Sequence, residues 1–321
     1  MPLEFPALRH RVLIAAGDTR AELVARGWDR PDFCELANLE KPDAVRDIAD
    51  AFLDAGIDVL VTMTESANVL AQPQRPKTEG LTSERAAEIC RRGAEVCRQA
   101  VAEFPAKGRY VFGAIGPVQQ LRMLDEISES DLAAAYEAQA RSLADGGVDA
   151  LVLRGFAELA ALQIAVRAAR ATILPVIATM AFDAGPDQTE TTLGVSVPQM
   201  CAALMEPVGQ VSQVGQASLP ANPSGLLALG CDGQSPDSAA KVVALLRQSA
   251  PDIPIWCALD AGHPQLIDNR AVYPESPEDF AARAKTVVAA GANILAGRRG
   301  ATPAHLAALA KALCAPKRRP R

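Results

Sequence analysis

An excess of basic charge is the first feature that this sequence lacks. Its 32 Lys and Arg residues are outnumbered by 38 Asp and Glu residues, which gives a formal net charge of −6. This balance argues against a nucleic-acid-binding or membrane-surface protein, because both need a cationic face. The one basic run lies in the tail 315–321, which we interpret as a solvated chain end.

Long apolar runs and paired cysteines are also missing. No stretch approaches the roughly 20 apolar residues of a membrane-spanning helix, and the first residues lack the apolar core of a signal peptide. The seven cysteines are scattered without a C-x-x-C pair, which favours reduced thiols over a disulfide framework. We therefore expect a cytoplasmic protein that does not associate with a membrane.

Aromatic residues make up only 4% of the chain, whereas hydrophobic residues as a whole reach 49%. The aliphatic residues fall into short β-branched runs that alternate with amphipathic helical stretches. Three helices end in similar phrases, "FLDAGIDVLV", "LADGGVDALV" and "VVAAGANILA", in which a glycine stops the helix before the next strand. The predicted strands are 12–16, 58–63, 110–115, 150–153, 175–181, 226–231, 253–259 and 293–296, and the predicted helices are 42–54, 83–103, 130–144, 157–169, 198–205, 237–248, 277–289 and 303–313.

Eight such units predict a single (β/α)8 barrel domain over residues 1–321. The alternative, a doubly wound open sheet, is disfavoured by the count of eight and by the absence of a G-x-G-x-x-G turn after the first strand. Binding and catalytic residues of such barrels lie where the strands end. We therefore look for function in the loops that follow the strands.

Motifs at five predicted strand ends carry a family resemblance. They are "TMTESAN" (62–68), "GAIGP" (113–117), "GVDALVLRGFAEL" (147–159), "LDAGHP" (259–264) and "AGRRGATPAHLAAL" (296–309). Together they resemble the homocysteine S-methyltransferase family, which includes betaine–homocysteine methyltransferase and the homocysteine-binding module of methionine synthase. The resemblance runs from about residue 11 to residue 313 and implies the same barrel.

The resemblance also implies a zinc site, which this sequence cannot build in the usual way. In the family, three thiolates hold zinc, and the metal lowers the pKa of the homocysteine thiol. The matching positions here are Gly233, Arg298 and Arg299. Arginine stays protonated and offers no lone pair to a metal. We therefore expect a protein that does not use the family's zinc mechanism.

A relocated zinc site is one alternative. Cys231 lies two residues before the lost ligand position, Cys257 lies on the predicted seventh strand, and His263 follows the "DAG" turn. The simpler interpretation is that the two cysteines pack in the core and that the histidine lies in a loop. No metal ligand is therefore assigned.

Other positions of the family motifs have changed as well. According to the resemblance, the position of Arg154 carries an acidic residue in the family, and that residue helps hold the substrate's amino group. The position of Ala16, beside the retained Gly17, carries an aspartate, and the positions of Met63 and Asp260 carry asparagines. The loop-shaping glycines remain. The motifs therefore indicate a retained scaffold with altered chemistry.

One interpretation of these changes is an anion-binding site. Guanidinium groups bind carboxylate, phosphate or sulfonate through two parallel hydrogen bonds, and acidic residues of the same loops could act as general acids or bases or bind an ammonium group. The predicted substrate-binding residues are Gly17, Arg20, Gly116, Arg154, Arg298 and Arg299, and the predicted catalytic residues are Asp18, Glu65, Asp232 and Asp260.

The other interpretation is that Arg154, Arg298 and Arg299 pair internally with Asp18, Asp232 and Asp260, because a buried charge needs a partner. The sequence does not decide between the two. Segment 206–225, which is longer than usual for its position, is interpreted as an insertion loop that covers the site, contacts another subunit or is disordered.

Two functions remain open at this stage. The first is a zinc-independent methyl or one-carbon transferase that acts on a small anionic substrate at the barrel mouth. A folate could then serve as methyl donor or acceptor, or a corrinoid carried by a partner protein, since the chain has no D-x-H-x-x-G cobalamin signature. The second is a non-catalytic ligand-binding or regulatory subunit descended from the family. A homodimer is compatible with either.

Overall fold

The computed structural model describes residues 11–71, 81–118, 127–205, 225–235, 237–267 and 270–314. Eight parallel strands close into a barrel in the order β1-β10-β7-β6-β5-β4-β3-β2, which confirms the predicted (β/α)8 class. The barrel strands are β1 Leu13–Ala15, β2 Val59–Val61, β3 Tyr110–Ile115, β4 Ala150–Phe156, β5 Val176–Met180, β6 Ala228–Gln234, β7 Ile255–Leu259 and β10 Ile294–Gly297.

Helices lie between successive strands and cover the barrel. Their buried faces are mainly aliphatic, as in the helix before β2, where Ile48, Phe52 and Leu53 are almost completely buried. The helices are α1 Thr19–Ala25, α2 Ala37–Glu40, α3 Pro42–Asp54, α4 Ser83–Glu103, α5 Glu129–Asp145, α6 Leu159–Ala169, α7 Val197–Met205, α8 Ala239–Ser249, α9 Pro277–Ala289 and α10 Pro303–Cys314. In the described residues, no helix is both long and apolar enough to cross a membrane.

The barrel interior is packed with side chains. Phe112 on β3 and Trp256 on β7 come from opposite sides of the barrel, and their ring centroids are 6.4 Å apart. Both side chains are fully buried. The barrel is therefore a core and not a pore, and chemistry is confined to its ends.

Three features of the fold were not predicted. Two short strands, β8 Gln265–Ile267 and β9 Arg270–Val272, form an antiparallel hairpin between β7 and α9. The short helices α1 and α2 occupy the segment between β1 and α3. Strands β4 and β6 extend three residues beyond their predicted ends. Of the insertion loop 206–225 only Gly225 lies within the described residues, and the tail 315–321 lies outside them.

Candidate active site at the barrel mouth

Two β-bulges at the ends of β4 and β6 build the candidate site. The pairing register shifts after Leu153 on β4 and after Cys231 on β6. Each bulge contains a charged residue followed by a glycine with positive φ: Arg154 before Gly155 (φ 72°), and Asp232 before Gly233 (φ 68°). Glycine adopts this conformation without the strain that a side chain would add.

The bulges bring four charged side chains into a closed cycle, which we call the mouth ring: Glu65, Arg154, Asp232 and Arg298. Arg154 donates from Nε and Nη2 to Asp232 Oδ1 at 3.2 and 3.1 Å, and its Nη1 lies 3.2 Å from Glu65 Oε1. Arg298 donates from Nη1 to Glu65 Oε1 and Oε2 at 2.7 and 3.0 Å, and its Nε lies 3.3 Å from Asp232 Oδ2. Each charge therefore contacts two opposite charges.

Burial differs around the mouth ring. The side chains of Arg154 and Asp232 are 4% and 1% exposed, whereas those of Arg298 and Glu65 are 22% and 18% exposed. The guanidinium carbon of Arg154 also lies 5.9 Å from the centre of the Trp256 ring, over the barrel core. The ring therefore closes the upper end of the core, and its Arg298–Glu65 side faces the mouth.

The mouth ring shifts the pKa values of Glu65 and Arg298. Burial alone would raise the pKa of Glu65, but Arg298 and Arg154 outweigh burial and lower this pKa to about 2. Burial would likewise lower the pKa of Arg298, but Asp232 and Glu65 raise it above its usual value. Both shifts favour the charged forms, as expected when compensated charges are taken out of water together.

The two bulge glycines lie against guanidinium groups. A Cβ atom on Gly155 would lie 3.6 Å from Arg298 Nη2, and one on Gly233 would lie 3.6 Å from Arg299 Nη1. Arg298 and Arg299, which follow β10, thus extend across the ends of different strands. Position 233 is close to position 299, as the family resemblance requires.

A second ion pair lies beside the mouth ring. Arg299 donates from its backbone N and from Nη1 to Asp260 Oδ1 and Oδ2, both at 3.2 Å. Its side chain is 54% exposed, whereas that of Asp260 is 7% exposed. Burial raises the pKa of Asp260 more than Arg299 and Arg298 lower it.

Arg20 has a partner that the sequence analysis missed. Its Nη1 donates to Glu35 Oε1 at 2.9 Å, and the same carboxylate oxygen accepts from the backbone N of Ser66 at 3.1 Å. Glu35 is fully buried. The available signal was its position in "FCELA", an acidic residue among apolar ones, but that stretch follows no predicted strand.

Asp18 pairs with none of the described arginines, contrary to one of the two interpretations of the sequence. Its side chain accepts hydrogen bonds from Ala21 N at 3.0 Å, capping α1, and from Gly300 N at 3.1 Å. The backbone satisfies this carboxylate because it stands at the start of a helix, where N–H groups lack partners. Glu65 takes the place that this interpretation gave to Asp18.

The two glycines predicted to bind substrate contact the protein itself. A Cβ atom on Gly17 would lie 2.1 Å from the carbonyl oxygen of Ala301, so the chain after β10 packs directly on this residue. Gly116 donates from its N to the carbonyl oxygen of Glu65 at 3.0 Å. Both glycines therefore hold neighbouring loops of the mouth together, and a role in binding substrate remains a prediction.

The residues present do not fit the family's zinc ion. Of the three ligand positions, two carry guanidinium groups engaged with carboxylates and the third carries no side chain. A protonated guanidinium repels a cation and cannot coordinate it. Among the described residues, no three His, Cys, Asp or Glu side chains are grouped to hold a metal.

The residues of the alternative zinc site lie in two different settings. Cys231 and Cys257 are direct neighbours on β6 and β7, and both are fully buried. Burial raises the pKa of the Cys231 thiol well above its usual value. His263 is exposed and contacts Asp237 Oδ2 at 3.0 Å through Nε2. The two cysteines therefore belong to the core, as the simpler interpretation expected.

The eight parallel strands and the helices between them define a (β/α)8-barrel protein. Its candidate site is formed by charged residues at the carboxyl ends of the strands. The family model for homocysteine S-methyltransferase matches residues 13–313. The chain therefore belongs to the homocysteine S-methyltransferase family, as its motifs predicted.

Two curated relatives are methionine synthases. The protein from Mycobacterium tuberculosis is 26% identical over 325 residues, which cover 97% of this chain and 25% of that protein. The protein from Mycobacterium leprae is 25% identical over 320 residues, covering 95% of this chain and 24% of that protein. The chain thus spans about a quarter of the length of these relatives.

Among solved structures, the metallated form of the homocysteine methyltransferase MmuM from Escherichia coli superposes with a TM-score of 0.74. It is 19% identical, and the match covers 97% of this chain and 99% of that one. The carboxyl transferase domain of Rhizobium etli pyruvate carboxylase, at 12% identity, reaches a TM-score of 0.51 over 91% of this chain and 41% of that one. Both likenesses concern the barrel fold.

Proposed function

We propose that this protein is a zinc-independent transferase of methyl or one-carbon groups that acts on a small anionic substrate at the barrel mouth. Membership of the homocysteine S-methyltransferase family supports methyl transfer. The observation that carries zinc independence is the pairing of Arg298 with Glu65 and of Arg299 with Asp260 at two former ligand positions.

The residues around the mouth take different parts in this proposal. The mouth ring forms a rigid floor, because each of its four charges is held by two others. Arg299 is the group available to an anion, since no described residue accepts a hydrogen bond from its Nε or Nη2. Arg20, 36% exposed, is the other cation near the opening. A folate, or a corrinoid carried by a partner protein, would supply or receive the methyl group.

A second function is favoured by the charge balance of the mouth. Four guanidinium groups (Arg20, Arg154, Arg298, Arg299) face five carboxylates (Asp18, Glu35, Glu65, Asp232, Asp260), so the carboxylates are in excess by one. A site already neutralised from within attracts an anion mainly at Nε and Nη2 of Arg299, from which no described residue accepts a hydrogen bond. This arrangement suits a ligand-binding or regulatory subunit without catalysis.

One experiment separates these functions. Purified protein treated with a chelator is screened by thermal shift against folates, onium methyl donors, phosphates, sulfonates and carboxylates, and hits are assayed for transfer of a labelled methyl group. The transferase proposal expects an anion that stabilises wild type but not Arg299→Gln, together with metal-free turnover. Arg141→Gln, an exposed arginine paired with Glu137 on α5, is the matched control. Binding without turnover supports the regulatory subunit.

A further inference from the structure

Asp260 and Arg299 are a contacting pair at two positions that the resemblance assigns differently. It places an asparagine at position 260 and a zinc thiolate at position 299. Here an aspartate and an arginine stand at these positions, and two hydrogen bonds of 3.2 Å join them. The chain has therefore gained a carboxylate beside a position where the family holds its metal.

We infer that Asp260 is the proton acceptor for the nucleophile of the methyl acceptor, and that Arg299 stabilises the negative charge that develops on this nucleophile. The inference rests on the proposed transferase function and deepens it. It follows from a chemical need: without a metal to lower the pKa of the nucleophile, a side chain at the mouth must take the proton.

The other carboxylates of the mouth are committed elsewhere. Glu65 and Asp232 each contact two arginines in the mouth ring, and protonating either would leave two buried cations to share a single carboxylate. Asp18 accepts two backbone N–H groups. Among the described residues, the Asp260 carboxylate contacts a single arginine side chain, that of Arg299, which is half exposed. It can therefore gain a proton without uncovering a buried charge.

The surroundings of Asp260 are suited to proton transfer. Burial raises its pKa despite Arg299 and Arg298, and Asp232 adds to the rise. A higher pKa makes a carboxylate a stronger base near neutral pH. The phenol of Tyr273, whose pKa is raised by burial, also interacts with Asp260 and Arg299. Arg283 on α9 donates from Nη2 to the backbone oxygen of Asp260 at 2.6 Å and is paired with Glu275. Any pH effect on Asp260 must include this pair together with Asp232, Tyr273 and the two mouth arginines.

The proposed step conserves atoms and charge. The acceptor carries a protonated heteroatom, and the methyl donor of this step is an onium compound, a sulfonium or a quaternary ammonium, rather than a methylated folate or corrinoid. The heteroatom forms a bond to the methyl carbon while the carbon–sulfur or carbon–nitrogen bond of the donor breaks. The electron pair of that bond stays on the donor, which leaves neutral. The acceptor proton moves to the Asp260 carboxylate and later passes to water.

The test compares pH–rate profiles of the full chain, free of metal, for wild type, Asp260→Asn, Asp260→Glu and Arg299→Gln, with the labelled onium donor and acceptor found in the screen above. We expect Asp260→Asn to lower kcat at least about 100-fold, in the range of general-base catalysis, with KM little changed and the acid limb lost. Asp260→Glu should recover part of the rate and keep that limb.

Three outcomes decide the inference. If wild type turns over and Asp260→Asn keeps its kcat and acid limb, Asp260 is not the proton acceptor, although the transferase function stands. If Asp260→Asn and Arg299→Gln lower the melting temperature equally and leave both pH profiles unchanged, the pair is structural and the inference fails. If wild type transfers no methyl group from any donor of the screen, onium compound or folate, the proposed function and the inference fail together.

Discussion

Glu65 and Arg298 are 233 positions apart in sequence, yet Arg298 Nη1 contacts both carboxylate oxygens of Glu65 at 2.7 and 3.0 Å. This contact joins the loop after β2 to the loop after β10 across the barrel mouth. It also completes the mouth ring, because Arg154 and Asp232 are already paired on the β4 and β6 bulges. The position at which the family resemblance implies a zinc ligand is thus part of a charge network.

The mouth ring should contribute strongly to stability. Asp232→Asn removes one carboxylate from a side chain that is 1% exposed and leaves Arg154 and Arg298 short of a partner. We expect a loss of about 3–5 kcal/mol in the free energy of unfolding, as for other broken buried ion pairs. Urea unfolding followed by circular dichroism measures it. Arg141→Gln, on the surface, should change stability by no more than about 0.5 kcal/mol; equal losses in the two variants would count against the ring.

Protonation of Glu65 should lower the free energy of unfolding at acidic pH. Its pKa is about 2 in the folded chain against 4.5 for an unperturbed group. Because the folded pKa is the lower one, the contribution of Glu65 is fully present above about pH 4.5 and disappears as pH falls towards 2. The difference corresponds to about 3 kcal/mol at neutral pH. Unfolding measured from pH 7 to pH 2.5 should show a shallower acid loss in Glu65→Gln than in wild type. If the free energy of unfolding falls equally with pH in both proteins, the pKa shift of Glu65 does not contribute to stability.

Gly17 should be required for packing. A Cβ atom there would overlap the carbonyl oxygen of Ala301 at 2.1 Å, so the backbone after β10 would have to move. We expect Gly17→Ala to lower the free energy of unfolding by about 3 kcal/mol, at the upper end of overpacking effects. Gly27→Ala is the control: Gly27 has φ 92°, and a Cβ atom added there would meet no other atom within 4 Å, so only backbone strain of about 1 kcal/mol is expected. If Gly17→Ala lowers the free energy of unfolding no more than Gly27→Ala does, Gly17 has no packing role.

The fold was largely predictable because its signals are local. Apolar runs such as 110–115 and helix-ending glycines such as Gly147 mark each strand and helix wherever the chain later places them. The ends of β4 and β6 were predicted too short, since Arg154 and Asp232 interrupt the apolar run. The bulges continue the pairing past these charges.

The partners within the site were harder to predict because they depend on contacts between distant parts of the chain. The family motifs identified Arg154, Arg298 and Arg299 as substitutions, and pairing with Asp232 and Asp260 was one of two interpretations. The partnership of Arg20 with Glu35 has no local pattern. The suggested pairing of Asp18 with an arginine was wrong, because this carboxylate stands at a helix start and accepts backbone N–H groups. Its catalytic role stays a prediction.

We propose that ion pairs stand in place of the zinc ion at the mouth of this barrel. The most direct test is the zinc content of the purified protein after expression with added zinc and dialysis against a weak chelator, measured by mass spectrometry. We predict zinc far below one ion per chain and a melting temperature that does not respond to added zinc. One tightly held zinc ion per chain that raises the melting temperature would contradict the claim.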